Sequence, residues 1–599
     1  MKKILSFAAV ASLIMMTACD LTETQQANAD RAMVFGSETG LKNYCYSFYN
    51  TFPAASDVSH TNSTMDNAAK NSTGTYEVGA YTVNTSTSWS WSDLRNINYF
   101  LKYNTSEKVA ESVRNNYNGI ARFFRAYDYY GKLVKYGEVP WIDIPLEPDS
   151  EELYKARDTR DVIITKIMED LDYAYQNITV TKPVGNSNEI NKWTALALKA
   201  RVCLFEGTFR KYHAGSEYLR GCSITSTSLL ETAAAAAKEL MDKGPYKLHT
   251  GTAYTGGGRG AYRDLFVSDK ACTDEVILAI ECDGQLTKGE QNWWYNSSTY
   301  GPHLCMTRAF AQTYLNKDGS FYNEKNADGS YKNFVEETTD RDPRLNMTIR
   351  AADYTRKNSA GAYYRESPNM TGHSLTGYQI TKWVMDDVKY DDAATNDNDE
   401  SLFRFAETLL VYAEAKAELG TITAEDWSKT IGALRRRAGI TGGDLDRLPT
   451  AIDPAVQKFY PAISNPVILE IRREREIELF CEGLRLDDLK RWKAGNNWDA
   501  AKGVAWEGIW VPGWETPVDI NGDGTFDAYF TKDTKYSGEY KSIAVTVSKP
   551  LDLKKLQDGE GYILDYNGQS RIWNENMYLY PIPANVITLN PAITQNPGW

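Results

Sequence analysis

Apolar side chains recur every three or four residues in several blocks of the chain, the spacing of one face of a helix. Gly137 and Pro140 end the second of the predicted helices. Antiparallel helix pairs separated in sequence favour a mostly α fold with a tetratricopeptide-like scaffold of helical pairs, although no strict 34-residue repeat is visible. The helical blocks are 93–136 as two helices, 161–175, 193–205, 229–241, 405–419, 424–437 and 468–492, the last broken at Gly483.

Two stretches, 244–400 and 495–575, lack this periodicity and are rich in Gly, Asn, Asp, Thr and aromatic residues. They contain only short β-like runs, such as 275–280 and 542–547. Long irregular loops with a few short strands should therefore cover the scaffold and carry binding. No long linker divides the chain into separate domains. The predicted single domain, 31–599, comprises an N-terminal helical half (31–243), a loop-rich ligand-binding insertion (244–400), C-terminal helical pairs (401–495) and a loop-rich tail that closes on the scaffold (496–599).

The first 18 residues resemble a lipoprotein signal peptide. Lys2 and Lys3 precede an apolar run, 4–16, that is too short to span a bilayer. Small residues then precede Cys19, as they do where a signal peptidase cleaves and the new N-terminal cysteine is acylated. We therefore expect residues 19–30 to be an acylated cysteine with a flexible tether that anchors the protein in a membrane.

Charge and cysteine content exclude several classes of protein. Without Lys2 and Lys3, 64 basic residues face 79 acidic ones, a net charge of −15, so a nucleic-acid partner is not expected. Seven cysteines remain after Cys19, without any C-x-x-C, which indicates mostly buried thiols. The 39 tyrosines and 15 tryptophans exceed what a core requires. Some of these rings should face a ligand.

Several motifs occur in the order in which one known family carries them. They are ARFFRAY at 121–127, YGEVP at 136–140, IMEDLDYA at 167–174, ALALKARV at 195–202, DRDPR at 340–344, RFAETLLVYAEA at 404–415, IRREREIELFCEGLRLDDLKRW at 471–492, YPIP at 580–583 and NPAITQNPGW at 590–599. On these motifs the chain resembles the SusD/RagB family over nearly everything after Cys19.

The resemblance implies a monomeric cell-surface binding protein that forms a lid over a SusC-like TonB-dependent outer-membrane transporter and delivers a captured glycan to it. Some relatives present peptides instead, and the shared motifs belong to the scaffold, so the cargo stays open. A peptide- or other-nutrient-binding member of the family is one alternative, and an envelope glycoside hydrolase is a more distant one.

Catalysis is not expected. The motifs of metalloproteases and α/β-hydrolases are absent, and the five histidines are widely spread. The glycine-rich run at 256–260 lacks the Gly-Lys-Ser/Thr ending of a phosphate-binding loop. The glutamates near arginines at helical spacing are interpreted as ion pairs that tie the scaffold together. These glutamates are Glu407, Glu414, Glu474, Glu478 and Glu482.

Exposed indole and phenol rings can stack on the C–H faces of sugars, while amides at the rim bind hydroxyls. Trp89 follows a Ser/Thr-rich loop and is interpreted as a ligand contact, whereas Trp91 could bind ligand or pack the first helix. The resemblance places a ligand-stacking tryptophan in this region. The second candidate cluster is Asn292, Trp293, Trp294, Tyr295, Asn296 and Tyr300. A third cluster could contact ligand or a transporter but is expected mainly to pack on the scaffold; it comprises Trp498, Trp506, Trp510 and Trp514. The seven other mature-chain tryptophans (141, 193, 383, 427, 492, 573 and 599) are interpreted as structural.

One loop has the spacing of a calcium site. Asp519, Asn521, Asp523 and Asp527 occupy positions 1, 3, 5 and 9 of such a loop, with glycine at position 6. The glutamate of position 12 is missing. Structural calcium and an Asp/Asn/Gly turn that needs no ion both remain open, and no other cofactor is expected.

Overall fold

The computed structural model describes residues 31–60, 66–70, 74–282, 304–372, 374–391, 398–498, 506–546, 551–555, 559–565 and 571–599. Helices dominate these ranges and the strands are short, which confirms the mostly α, tetratricopeptide-like class. The helices are α1 (Glu38–Tyr46), α2 (Ala55–His60), α3 (Ser92–Tyr103), α4 (Glu111–Tyr136), α5 (Arg160–Asn177), α6 (Lys192–Tyr212), α7 (Ser226–Lys243), α8 (Ala261–Val267), α9 (Arg308–Ala311), α10 (Phe334–Thr338), α11 (Pro343–Thr348), α12 (Phe405–Glu418), α13 (Ala424–Lys429), α14 (Ile431–Ala438), α15 (Pro454–Gln457), α16 (Pro466–Glu478), α17 (Arg485–Arg491) and α18 (Ala584–Leu589).

The strands form small separate sheets that join distant parts of the chain. They are β1 (Ala68–Ala69), β2 (Val276–Ile280), β3 (Cys305–Met306), β4 (Thr355–Lys357), β5 (Tyr363–Arg365), β6 (Glu400–Arg404), β7 (Glu507–Val511), β8 (Pro517–Val518), β9 (Ala528–Thr531), β10 (Ala544–Thr546), β11 (Leu551–Lys555) and β12 (Gly561–Asp565). The antiparallel pair β2–β6 lies next to the start of α12, whereas β11–β12–β7 and β10–β9–β8 are built by the C-terminal part.

The long helices pack in succession, as in a helical-repeat protein. Helix α4 packs on α5, α5 on α6, α6 on α7, α7 on α12, and α12 on α16. Local caps fix where several of them begin. Thr159 accepts a hydrogen bond at the start of α5, Thr225 does so for α7, and Asn191 forms a capping box with Thr194 in α6. Each cap satisfies backbone N–H groups that have no partner within the helix.

Two large hydrophobic cores lie in the described part of the fold, beside a small aromatic cluster around Trp573. One lies within the helical succession and the other among the short helices and sheets of the loop-rich parts. Buried arginines and acids lie between α11, β6, α14 and α16. Arg344, Arg404, Arg435, Arg437 and Arg473 pair there with Glu275, Asp342, Asp453, Glu470, Glu474, Glu478 and Glu482.

Some sequence predictions need correction. The single helix expected over 424–437 is two helices, because the backbone of Thr430, with φ −114° and ψ −88°, is not helical. The predicted insertion also contains α8 to α11, whose four to seven residues are too few for the periodicity to register. No helix within the described ranges combines the length and apolar character needed to span a bilayer.

Candidate functional site

Trp89 and Trp91 lie directly before α3 and form an aromatic edge on the helical half. Their ring centroids are 5.5 Å apart and their planes are inclined by 66°. The Tyr136 ring, at the end of α4, lies 5.0 Å from Trp89, and the Tyr129 ring lies 6.2 Å from Trp91. Both indoles are half-buried and pack against the helical core. The aromatic edge is therefore held in place while part of each ring stays accessible.

A groove of about 470 Å³ opens beside Trp91, between α3 and the segment that follows α4. We call it the Trp91 groove. Its volume lies in the range of small-molecule sites. The aliphatic side chains that line it are Leu94, Ile142, Ile144, Leu146, Pro148 and Leu153.

The polar side chains of the groove are largely engaged in building it. The Asn98 amide donates to the carbonyls of Ile142 at 2.9 Å and Ile144 at 3.3 Å. Arg95 Nε donates to the Leu146 carbonyl at 3.1 Å. These bonds fix the segment 142–146 against α3, so the groove is preformed.

Helix α4 also holds the segment 142–146 in position. The Tyr129 hydroxyl accepts a hydrogen bond from the Ile142 amide at 2.6 Å, and the Tyr129 ring stacks on Trp141 at 4.1 Å. Burial raises the pKa of Tyr129 well above its ordinary value, so the hydroxyl stays protonated. At the mouth, Arg95 and Glu147 form an open ion pair at 3.8 Å, with 58% and 59% of their side chains exposed. Such a pair stabilises little and can reorient toward a ligand.

Sequence reasoning found Trp89 and Trp91 but missed the aliphatic wall. The wall has a short alternating pattern, Trp141-Ile142-Asp143-Ile144-Pro145-Leu146, between Pro140 and Pro148. Such a run is consistent with an extended segment with one apolar side. Trp91, for which ligand contact and packing were both open, packs on the core and also lines the groove, and its contact with a ligand stays a prediction.

The second predicted cluster, Asn292, Trp293, Trp294, Tyr295, Asn296 and Tyr300, lies outside the described residues, as does the lipidation residue Cys19. Both stay predictions.

The tryptophans expected to be structural pack as expected. Trp141, Trp193, Trp383, Trp427, Trp492 and Trp573 are buried, and Trp599 is half-buried with its indole N–H directed to the Asn576 and Leu579 carbonyls. In the third cluster, Trp506 is buried, while Trp510 donates to Glu560 at 3.0 Å and Trp514 packs on the second core. The side chain of Trp498 lies outside the described residues.

The loop at 519–527 is closed by its own backbone. Asp519 accepts from the amides of Gly522 at 2.7 Å and Gly524 at 2.8 Å, and Asp523 accepts from Thr525 at 2.8 Å. Asp527 accepts from the Ile520 amide at 2.8 Å and from Ser367. Asn521 accepts from the Asp523 amide at 3.0 Å. The loop is thus closed as an Asp/Asn/Gly turn, and among the described residues no group of three or more acidic, His or Cys side chains is arranged to hold a metal. Structural calcium at this loop stays a prediction.

The glycine-rich run surrounds a carboxylate of the protein itself. Gly256, Gly257 and Gly258 all have positive φ, and the Gly257 amide donates to Asp353 at 3.0 Å. This amide therefore already has an anionic partner within the chain. Left-handed φ at three successive positions explains why glycine is required there.

The glutamates considered above for catalysis are buried in ion pairs. Glu414 pairs with Arg491 and accepts from the Trp492 indole at 2.7 Å, and Glu482 contacts Arg404 at 2.6 Å. Glu407, half a turn into α12, pairs with Arg201 of α6. These contacts join helices that are distant in sequence, which is the scaffold role that the spacing predicts.

Comparisons with known proteins agree with this architecture. Residues 25–204 match a family described as "Starch-binding associating with outer membrane". Residues 274–599, more than half of the chain, match the SusD family. The chain therefore belongs to the SusD family.

Individual relatives are distant. SusD-like protein P2 of Formosa agariphila is 24% identical over 382 residues, which cover 63% of this chain and 65% of that protein, so the match spans less than two thirds of its length. A SusD-like protein of Bacteroides fragilis superposes with a TM-score of 0.69 at 20% identity, covering 94% of this chain and 98% of the other. A SusD-like carbohydrate binding protein of the same species has a TM-score of 0.67 at 19% identity, with 94% and 100% covered. At these identities the likeness concerns the fold.

Proposed function

We propose that this protein binds an oligosaccharide or polysaccharide at the cell surface and delivers it to a SusC-like TonB-dependent outer-membrane transporter. The observation that carries the proposal is the aromatic edge beside a preformed groove. The description of the matching family as starch-binding and outer-membrane-associated supports the class of ligand and the compartment.

The geometry of the aromatic edge suits a sugar chain. Pyranose rings present flat C–H faces that pack on indoles, and their hydroxyls need polar partners at the rim. Trp89 and Trp91 supply two ring systems 5.5 Å apart, and Arg95 and Glu147 stand exposed at the groove mouth. Because the planes of the two indoles are inclined, a flexible or helical chain fits them better than a flat ribbon.

Tryptophan fluorescence titration with oligosaccharides tests this role. We expect a saturable change with at least one glycan, lost in Trp89→Ala/Trp91→Ala. The control is Tyr363→Ala, which removes a ring that is 51% exposed on β5, away from the edge. Binding that survives in the double variant would remove the aromatic edge from the site, and the predicted cluster at 292–300 would then be the first alternative.

A peptide ligand is the second candidate, and the aliphatic lining of the Trp91 groove is the observation in its favour. Apolar side chains of a peptide could occupy the same walls. A peptide pool that changes the fluorescence when no glycan does would keep the transporter role and replace the cargo.

The proposed anchor and partner are supported by the family and by the leader sequence. Acylation of Cys19 would hold the protein at the outer membrane, and the tether at 20–30 would leave it free to dock on a transporter. Co-purification of a TonB-dependent transporter with the tagged protein from detergent-solubilised membranes tests the partner. We do not assign an enzymatic activity; product release from a bound polysaccharide, abolished by a carboxylate substitution, would favour the glycoside hydrolase alternative.

A further inference from the structure

We propose that the Trp91 groove selects glycans that carry O-acetyl groups over the same glycans without them. This inference rests on the proposed function and names the substrate class of the same site.

The walls offer few hydrogen bonds to a hydroxyl. The Asn98 amide and Arg95 Nε are already bonded to the backbone carbonyls of the segment 142–146, as described above. The Ser92 hydroxyl lies 3.2 Å from that of Ser90. A sugar hydroxyl that entered the groove would lose water without gaining an equivalent partner, which is unfavourable.

The walls do offer a large apolar surface. Ile144 and Leu153 both line the groove and are 42% and 41% exposed, which is high for aliphatic side chains. Leu94, Leu146 and Pro148 complete the lining. A methyl group placed there would exchange water for aliphatic contacts on several sides, so each apolar substituent strengthens binding.

The mouth of the groove offers a hydrogen-bond donor to the carbonyl oxygen of an acetyl ester. Its carbonyl oxygen is an acceptor, and the Arg95 guanidinium is 58% exposed with its Nη2 only loosely paired to Glu147 at 3.8 Å. With the sugar ring on Trp91, the acetyl methyl can point into the groove while the carbonyl stays near Arg95. One acetylated sugar ring would then stack on Trp91, place its methyl group against the apolar walls and accept a hydrogen bond from Arg95.

The test uses acetylated plant glucomannan and xylan, each before and after mild alkaline deacetylation, in affinity electrophoresis with the purified protein. We expect the acetylated form of at least one glycan to bind about tenfold more tightly, a ratio that corresponds to about 1.4 kcal/mol. Ile144→Asn/Leu153→Asn should abolish the difference in affinity between the acetylated and the deacetylated form. The matched control is Val162→Asn on α5, which replaces a valine that is 38% exposed and does not line the groove.

The outcomes separate this inference from the function on which it rests. Equal binding before and after deacetylation, lost in Trp89→Ala/Trp91→Ala, would overturn the inference and leave the proposed function standing. Failure of every glycan form to slow the protein, with retardation by a peptide pool, would overturn both. The comparison of each glycan before and after deacetylation uses the wild-type protein. It therefore tests the preference for acetylated glycans even if Ile144→Asn/Leu153→Asn does not fold.

Discussion

Replacing Glu478 by glutamine removes a charge from the centre of the buried ion network while keeping the shape of the side chain. The Glu478 carboxylate is fully buried and contacts three guanidiniums: Arg344 at 3.0 Å, Arg404 at 2.6 Å, and Arg437. Removing one partner of a buried ion pair costs about 3–5 kcal/mol because the other charge is left uncompensated. Glu275, Glu474 and Glu482 still contact these arginines, so we expect a loss near the lower limit, about 3 kcal/mol.

Urea unfolding followed by tryptophan fluorescence measures this loss. For a chain of this size the midpoint should fall by roughly 0.5–1 M, since the slope of the unfolding free energy grows with protein size. The control is Glu217→Gln, which breaks an exposed pair with Arg220 at 3.0 Å and should leave the midpoint unchanged. Equal midpoints for the two variants would refute the claim that the network stabilises the scaffold.

The same carboxylate gives a pH dependence with a defined sign. Burial alone would raise the pKa of Glu478, but Arg437, Arg404 and Arg344 together lower it far below the ordinary value. Its stabilisation is therefore present above the unfolded pKa of about 4.3 and is lost as the pH falls toward the folded pKa. The wild type and Glu478→Gln should converge in stability as the pH falls below about 4.

Three further predictions concern other parts of the chain. Burial lowers the pKa of His213 to about 4, so its imidazole stays neutral in the folded state but takes up a proton in the unfolded state below about pH 6.5. The free energy of unfolding should therefore fall by about 2 kcal/mol between pH 7 and pH 5, and it should fall by less in His213→Gln. Because the loop at 519–527 is closed by its own amides, neither millimolar calcium nor EDTA should shift the melting temperature. A calcium-dependent rise in the melting temperature that is absent from Asp523→Ala would instead support a calcium site in this loop. Cys19→Ala should move the protein from the membrane fraction to the soluble one in cell fractionation, and unchanged membrane association would contradict the predicted anchor.

The long helices could be predicted from sequence because their periodicity extends over three or more turns. The break at Thr430 could not, since the hydrophobic pattern does not change where the backbone leaves helical geometry. The short helices α8 to α11 are similarly stabilised by tertiary contacts and by caps such as Asp342 at the start of α11.

The candidate site was only half predictable for a related reason. Trp89 and Trp91 stand out in the sequence because loops rarely carry two tryptophans separated by a single residue. The wall beside Trp91 follows α4 some fifty residues later, and hydrogen bonds with Arg95, Asn98 and Tyr129 hold it in place. Sequence periodicity contains no information about that pairing.

Retardation in native gels cast with plant, host and microbial polysaccharides tests the central claim most directly. The samples are the wild type, Trp89→Ala/Trp91→Ala, Trp293→Ala/Trp294→Ala, and the control Tyr363→Ala. We predict that at least one polysaccharide slows the wild type and the control but not the variant of the aromatic edge. Migration of the wild type that no polysaccharide changes, while a peptide pool binds, would contradict a carbohydrate ligand.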